Sequence, residues 1–167
     1  ECEHGPDSSG YLVTWEKRVA EEAIGAFAEF YKNMSPQRVA FATTVLAGPF
    51  GGVILARDEE EAIAFVNDYA PEHLQILSTA PARFVDRIRH AGETLLALHA
   101  PSTLANFVVG PSHVLPTGGW AKTGSALSVH AFLKRTSIVN ITREGYDLLA
   151  PHAKAFAIYE GFDAHAN

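Results

Sequence analysis

The run Gly51-Gly52-Val53-Ile54-Leu55-Ala56-Arg57-Asp58-Glu59-Glu60-Glu61-Ala62 decides the fold class. Its first half is a glycine-flanked apolar stretch with the length and composition of a buried strand. Its second half opens a helix. Asp58 is suited to cap it, and Glu59, Glu60 and Glu61 sit at the positive end of the helix dipole. Ala62, Ile63, Phe65 and Val66 follow at helical spacing and supply the apolar face. A strand passing straight into a capped helix is the repeating unit of α/β proteins.

The alternation continues in both directions. Upstream, the turn Gly5-Pro6-Asp7-Ser8-Ser9-Gly10 leads into the β-prone run Tyr11-Leu12-Val13-Thr14. Arg18 to Tyr31 places Val19, Ala23, Ala26, Phe27 and Phe30 on one helical face, and Asn33 can end that helix. Ser35-Pro36 opens another helix as cap and first residue, and Gly48-Pro49 stops it. Downstream of Pro71 we expect a strand from Leu74 to Leu77, a helix from Pro81 to His90 and a strand from Thr94 to Leu98. The expected product is an α/β layered sheet, largely parallel.

Residues 99 to 126 break this rhythm, being rich in Gly, Pro, Ser and Thr. A loop that long in a compact chain is usually functional. Beyond it, Ser128 to Arg135 reads as helical and Ser137 to Ile141 as extended. Thr142-Arg143-Glu144 then starts a helical run to about Tyr159, which Pro151 should kink or divide.

Composition excludes several functions. A length of 167 residues suffices for one domain with a core and a small appendage. The formal charge of −6, with Lys and Arg scattered, argues against a nucleic-acid footprint. No apolar run approaches the roughly 20 residues that span a bilayer, and the start does not resemble a signal peptide. The single Cys rules out an internal disulfide framework and suits a reducing compartment, so the cytoplasm is the expected location.

Chemistry concentrates in three islands: Ala70-Pro71-Glu72-His73-Leu74, Gly110-Pro111-Ser112-His113-Val114-Leu115-Pro116-Thr117-Gly118-Gly119, and Asp163-Ala164-His165. Each is read as bringing a His beside a rigid Pro or Gly turn, and two of them also carry an acid. Pro71 should restrain Ala70 to extended geometry and so fix where Glu72 and His73 emerge. An imidazole that titrates near neutrality next to a carboxylate suits general acid–base work. The bland alternative is a Pro-Glu turn opening a strand, with His73 merely half exposed. His90, His99, His130 and His152 read as surface residues, and Cys2 lacks any CxxC partner.

These islands, with Phe132-Leu133-Lys134-Arg135 and the opening Glu1-Cys2-Glu3-His4-Gly5-Pro6-Asp7-Ser8, resemble the signature segments of the histidinol dehydrogenase family. The match runs in order from end to end of the chain. The resemblance implies oxidation of a primary alcohol through an aldehyde to a carboxylate, with NAD accepting two hydrides and one zinc per site. It also implies a homodimer that exchanges its C-terminal tail. On this basis residues 1–126 are the C-terminal half of a Rossmann-like α/β lobe carrying the active-site loop. Residues 127–167 are a small, mostly helical dimerisation tail.

Carried over residue by residue, the resemblance makes His73 the base on the alcohol and Glu72 the group that activates water on the aldehyde. His113 and Glu160 fall at substrate-contacting positions. Glu1, His4, Asn106 and His165 fall at the zinc ligands. Glu1 stands where the family has Gln, and Asn106 where it has Asp, so one negative charge is gained and one lost around the ion. Standing alone, His4 would read as a turn residue, His165 as part of a frayed tail and Glu160 as a solvated helix end.

No G-x-G-x-x-G fingerprint occurs, so no dinucleotide-binding residue is assigned. The chain opens at Glu1 inside a working motif, and a cut or split polypeptide is expected, with N-terminal lobes supplied in cis or in trans. Alone it is expected to be inactive and to leave apolar surface open. Two readings compete with histidinol oxidation. One is a paralogue acting on another small alcohol. The other is a non-catalytic remnant kept for dimerisation or ligand binding, which an upstream or adjacent reading frame for the remaining lobes would argue against.

Overall fold

The structure, a computed structural model, describes all residues from Glu1 to Asn167. It divides into two compact units, Glu1–Ser128 and Val129–Asn167. No helix is long and apolar enough to cross a membrane.

The first unit begins with strand β1 (Gly10–Thr14), helices α1 (Lys17–Tyr31) and α2 (Pro36–Ala47), and strand β2 (Gly51–Leu55). β1 and β2 pair in parallel, Gly10 opposite Gly51 and Thr14 opposite Leu55. Such pairing needs a crossover, which α1 and α2 supply, both packing against the pair. Ser35 caps α2 by accepting the Arg38 N–H, and Gly48 ends it, as the sequence suggested. Ala42 and Val45 of α2 are buried, Val45 against β2, where a Cβ on Gly51 would lie 2.6 Å from the Val45 carbonyl oxygen.

Helix α3 (Glu59–Tyr69) follows β2. Asp58 accepts the Glu61 N–H at 2.8 Å, and the Glu61 carboxylate takes the Arg57 backbone N–H, which holds its carboxyl below the usual range. α3 is fastened to β1 by aromatic rings. Tyr11 meets Phe65 and Tyr69 edge-on at 5.7 and 5.3 Å, and its hydroxyl donates to the Pro49 carbonyl.

Strands β3 (His73–Ile76) and β4 (Glu93–Leu96) flank the short helix α4 (Ala82–Val85). They form a second parallel pair, separate from the first, with His73 opposite Glu93 and Ile76 opposite Leu96. Phe84 of α4 is buried, its ring 6.4 Å from Trp15 and under the Arg83 guanidinium.

Several expectations are corrected here. Instead of one layered sheet there are two two-stranded sheets. The helix expected from Pro81 to His90 is a single turn. The Asn67 side chain draws the chain away from helical pairing, accepting from the N–H groups of Arg89 and His90 and donating to the Arg87 carbonyl. Both strands of the second pair begin one residue earlier than read, and β4 ends where Ala97 turns left-handed at φ 65°. β2 is half-buried rather than buried, and on α1 Val19 and Phe30 are exposed while Ala20 is buried.

Ala70 is not extended. It closes α3 in the left-handed region (φ 53°, ψ 66°), and its N–H bonds the Val66 carbonyl at 2.9 Å. Pro71 disfavours the right-handed helical region for the preceding residue, and the helix cap selects the left-handed alternative over the extended one. Ala70 is almost fully buried, so packing offsets a local cost of about 1 kcal/mol.

The stretch 99 to 126 is not featureless. It carries the short helix α5 (Ser102–Phe107) and a 3-10 turn at Trp120–Lys122, with Lys122 paired to Asp68 of α3 at 3.1 Å. In the second unit, Val129–Phe132 is a 3-10 turn rather than part of an α-helix, and residues 137–141 are in no ladder. Helix α6 (Arg143–Glu160) runs through Pro151 undivided. Thr142 caps its start. Gly161, left-handed at φ 78°, closes its end, with the Phe162 N–H on the Ala157 carbonyl. Ala157 and Ala166 are buried in this unit, whereas Ile138, Val139, Phe156 and Tyr159 are exposed.

Candidate active site

Glu72 and His73 owe their position to the left-handed cap at Ala70. After that reversal Pro71 enters the second sheet, and its carbonyl accepts the Gly92 N–H at 2.9 Å. The Glu72 carbonyl accepts the Glu93 N–H at 2.8 Å, so the backbone under both functional residues is laddered before the strand proper begins. Gly92 is needed there. A Cβ would sit 2.7 Å from the Glu72 carbonyl oxygen and 3.1 Å from the Pro116 ring. Its absence lets the Pro116 end of the long loop lie on the strand pair.

That loop is shaped by small local devices. Gly110, Gly118 and Gly119 take positive φ, the Val114 N–H bonds the Ser112 hydroxyl at 3.1 Å, and the Leu127 N–H closes on the Val114 carbonyl. His113 stands exposed between them. Asn106, on α5, faces β3, and its Oδ1 lies 3.0 Å from His73 Nε2.

The opening residues form a turn, with the His4 N–H on the Glu1 carbonyl at 3.0 Å. Arg38 of α2 anchors it, donating to the Glu3 and His4 carbonyls at 2.8 and 3.3 Å. Cys2 packs against the bare face of Gly10, and burial pushes its thiol up, so it serves as packing rather than as a nucleophile. Glu1 Oε2 lies 3.2 Å from His4 Nδ1, both side chains substantially exposed.

Glu1, His4, Glu72, His73, Asn106 and His113 line one cavity of about 300 Å³, joined by Phe107. Six of the eight residues singled out in the sequence therefore converge on one place. Glu160 and His165 belong to the second unit. Glu160 is the last residue of α6 and exposed. The His165 ring lies 5.2 Å from that of Phe162, and the His165 backbone N–H bonds the Phe162 carbonyl.

The donor chemistry around the cavity bears on zinc. Glu1 and His4 are donors of the kind zinc takes, and Asn106 adds a neutral amide oxygen. No three His, Cys, Asp or Glu side chains gather closely enough to hold a metal. Glu1 and His4, 3.2 Å apart, are thus the zinc-type donors of this cavity, and by themselves they do not make a metal site.

Phe107, Arg38 and Glu93 carry no motif signal of their own. Phe107 is adjacent to Asn106 on a helix too short to show periodicity. Arg38 acts through backbone carbonyls, which leave no mark on a motif. Glu93 lay one residue outside the strand as read.

Known proteins complete the picture. The histidinol dehydrogenase family model matches residues 1–167. A "Histidinol dehydrogenase homolog" of Cereibacter sphaeroides is 53% identical over 100% of this chain and 38% of that protein. A histidinol dehydrogenase of Synechocystis is 42% identical over 99% of the chain and 38% of the protein. The crystal structure of histidinol dehydrogenase from Elizabethkingia anophelis superposes with a TM-score of 0.88 at 27% identity, over 99% of this chain and 37% of that one. The chain thus spans about 38% of the length of the curated relatives it matches. With the model matched across its whole length, this chain belongs to the histidinol dehydrogenase family.

Proposed function

We propose that the chain is the proton-transfer part of a dehydrogenase that oxidises L-histidinol through the aldehyde to L-histidine, in histidine biosynthesis. The observation that carries this reading is the single cavity shared by Glu72, His73, His113 and the Glu1–His4 pair. His73 takes the proton of the substrate hydroxyl as that carbon is oxidised. Glu72, on the adjacent residue and half-buried, takes the proton of the water that adds to the aldehyde. Each oxidation removes a hydride, for which NAD is the acceptor. This chain carries no dinucleotide fingerprint, so NAD is read as held by other parts of the enzyme.

Glu1, His4 and Asn106, with His165, are the residues that would hold zinc. A bound zinc would supply a Lewis acid that orients and polarises the alcohol. His113 and Glu160 complete the reading as contacts to the substrate's polar groups. We read the two parallel strand pairs as part of a Rossmann-like lobe, and the open apolar side chains of residues 129–167 as a tail exchanged in a homodimer. We place the enzyme in the cytoplasm. These 167 residues alone are read as inactive, because the relatives are more than twice as long and the dinucleotide fingerprint is absent.

A second reading has its own support. Glu1 and Asn106 depart from the family's zinc-ligand pattern, and the 53% relative bears the name "homolog", whereas the 42% relative is named histidinol dehydrogenase. Both features favour a paralogue that oxidises another small alcohol. One experiment separates the readings. The full-length enzyme, supplied with NAD and zinc, is offered L-histidinol and a panel of other small hydroxylated compounds. NADH production from histidinol supports the first reading and production from another alcohol only supports the second. No production from any compound removes both.

A further inference from the structure

The geometry points to Glu93 as a positioning residue for His73, an inference that rests on the dehydrogenase reading above. Parallel pairing of β3 with β4 sets His73 opposite Glu93, so their side chains leave the same face of the sheet. Each side chain is 11% exposed, and Glu93 Oε2 lies 3.9 Å from His73 Nε2. Glu93 Oε2 is also the buried side-chain oxygen or nitrogen in this structure that lacks a hydrogen-bond partner. A buried carboxylate oxygen without a donor is costly, and such groups in folded proteins mark an unfilled role or a partner held slightly too far away. The nearby candidate is the His73 ring, about an ångström beyond hydrogen-bond distance.

His73 Nε2 already faces the Asn106 amide oxygen at 3.0 Å. An amide oxygen accepts only, so the contact is a hydrogen bond in the tautomer that carries the ring hydrogen on Nε2. A small closure of the ring toward Glu93 lets the same N–H be shared between Asn106 and the carboxylate. The two acceptors then hold the ring in one orientation and one tautomer. Nδ1 is left with its lone pair, and it is Nδ1 that receives the substrate's hydroxyl proton. Nε2 keeps its hydrogen throughout, and nothing is transferred to Glu93. This is the logic by which a buried carboxylate orients a catalytic imidazole in hydrolytic triads, here built from two neighbouring strands instead of distant loops. Motif reading could not find it, because Glu93 is 20 residues from His73 in sequence and meets it only through strand register.

The test uses the full-length enzyme with its best alcohol, NAD and zinc. Glu93→Leu fills the space with an apolar side chain and removes an unpartnered buried carboxylate, so its melting temperature should equal or exceed that of the parent. Its kcat should fall about 10- to 100-fold with KM little changed. Glu93→Gln keeps an acceptor of the same shape and should restore most of kcat. Glu93→Leu with parental kcat, or a kcat loss matched by KM or by melting, overturns the inference. So does failure of Glu93→Gln to outperform Glu93→Leu. If the parent enzyme oxidises no alcohol, the dehydrogenase reading falls. Crystal structures of parent and Glu93→Leu then decide this point: an unchanged His73 ring and Asn106 contact overturns it, and a rotated ring supports it.

Discussion

The two walls of the cavity are held in different ways. On one side Glu72 and His73 stand at the start of a strand pair, with Glu93 on the neighbouring strand opposite His73, and backbone hydrogen bonds join the two segments beneath them. On the other, Glu1 and His4 sit on an exposed turn tied down by one arginine and a packed thiol. The first wall is suited to holding an acid–base pair still. The second tolerates adjustment, which suits groups that close around an ion and need a further ligand. Proton transfer demands fixed geometry before the substrate arrives, whereas ligands can be organised by the metal itself.

The sharpest break of this contrast is at the rigid wall. In the full-length enzyme, His73→Ala should lower kcat about 100- to 10,000-fold, the range expected for loss of a positioned acid–base group, measured as NADH production at saturating alcohol. A loss under tenfold would mean that the strand wall is not where protons move. Next comes a packing contact elsewhere in the same unit. Phe84→Ala removes a buried ring that lies near Trp15 and should cost about 3 kcal/mol in urea unfolding. A cost near zero would show that this ring does not hold the short helix in place.

The adjustable wall should answer in metal affinity. Arg38→Ala frees the Glu3 and His4 carbonyls from their anchor and should weaken zinc retention about tenfold in chelator competition, the usual size of an outer-shell effect. The same substitution should leave a His73 ring orientation seen by crystallography as it was, because the two walls are anchored separately. The smallest effect belongs to Ala70→Gly. Glycine takes the left-handed conformation without steric cost, but it gives up a buried methyl and adds freedom to the unfolded chain, so stability should change by less than about 1 kcal/mol in urea unfolding.

Local signals in the sequence were reliable where a residue acts on its own neighbours. Ser35 and Asp58 cap the helices they were expected to cap, and Gly48 ends α2, because capping is a contact over three or four residues. Signals failed where distant contacts decide. Asn67 ends the would-be helix after Pro81 from about 20 residues away. Of the two outcomes expected at Pro151, division does not occur, since α6 continues through it to Glu160.

The candidate site divides in the same way. By itself the amino-acid order determined which residue types are available and, through their spacing in motifs, which family they belong to: Glu72 beside His73, Glu1 three residues before His4, His113 in a glycine-rich loop. Only the tertiary structure decided that these share a cavity, that Asn106 turns its amide to His73, and that Glu93 stands behind the ring. The physical reason is register. A strand's partner is chosen by hydrogen bonds formed across the sheet, and a shift of one residue would have turned Glu93 to the opposite face.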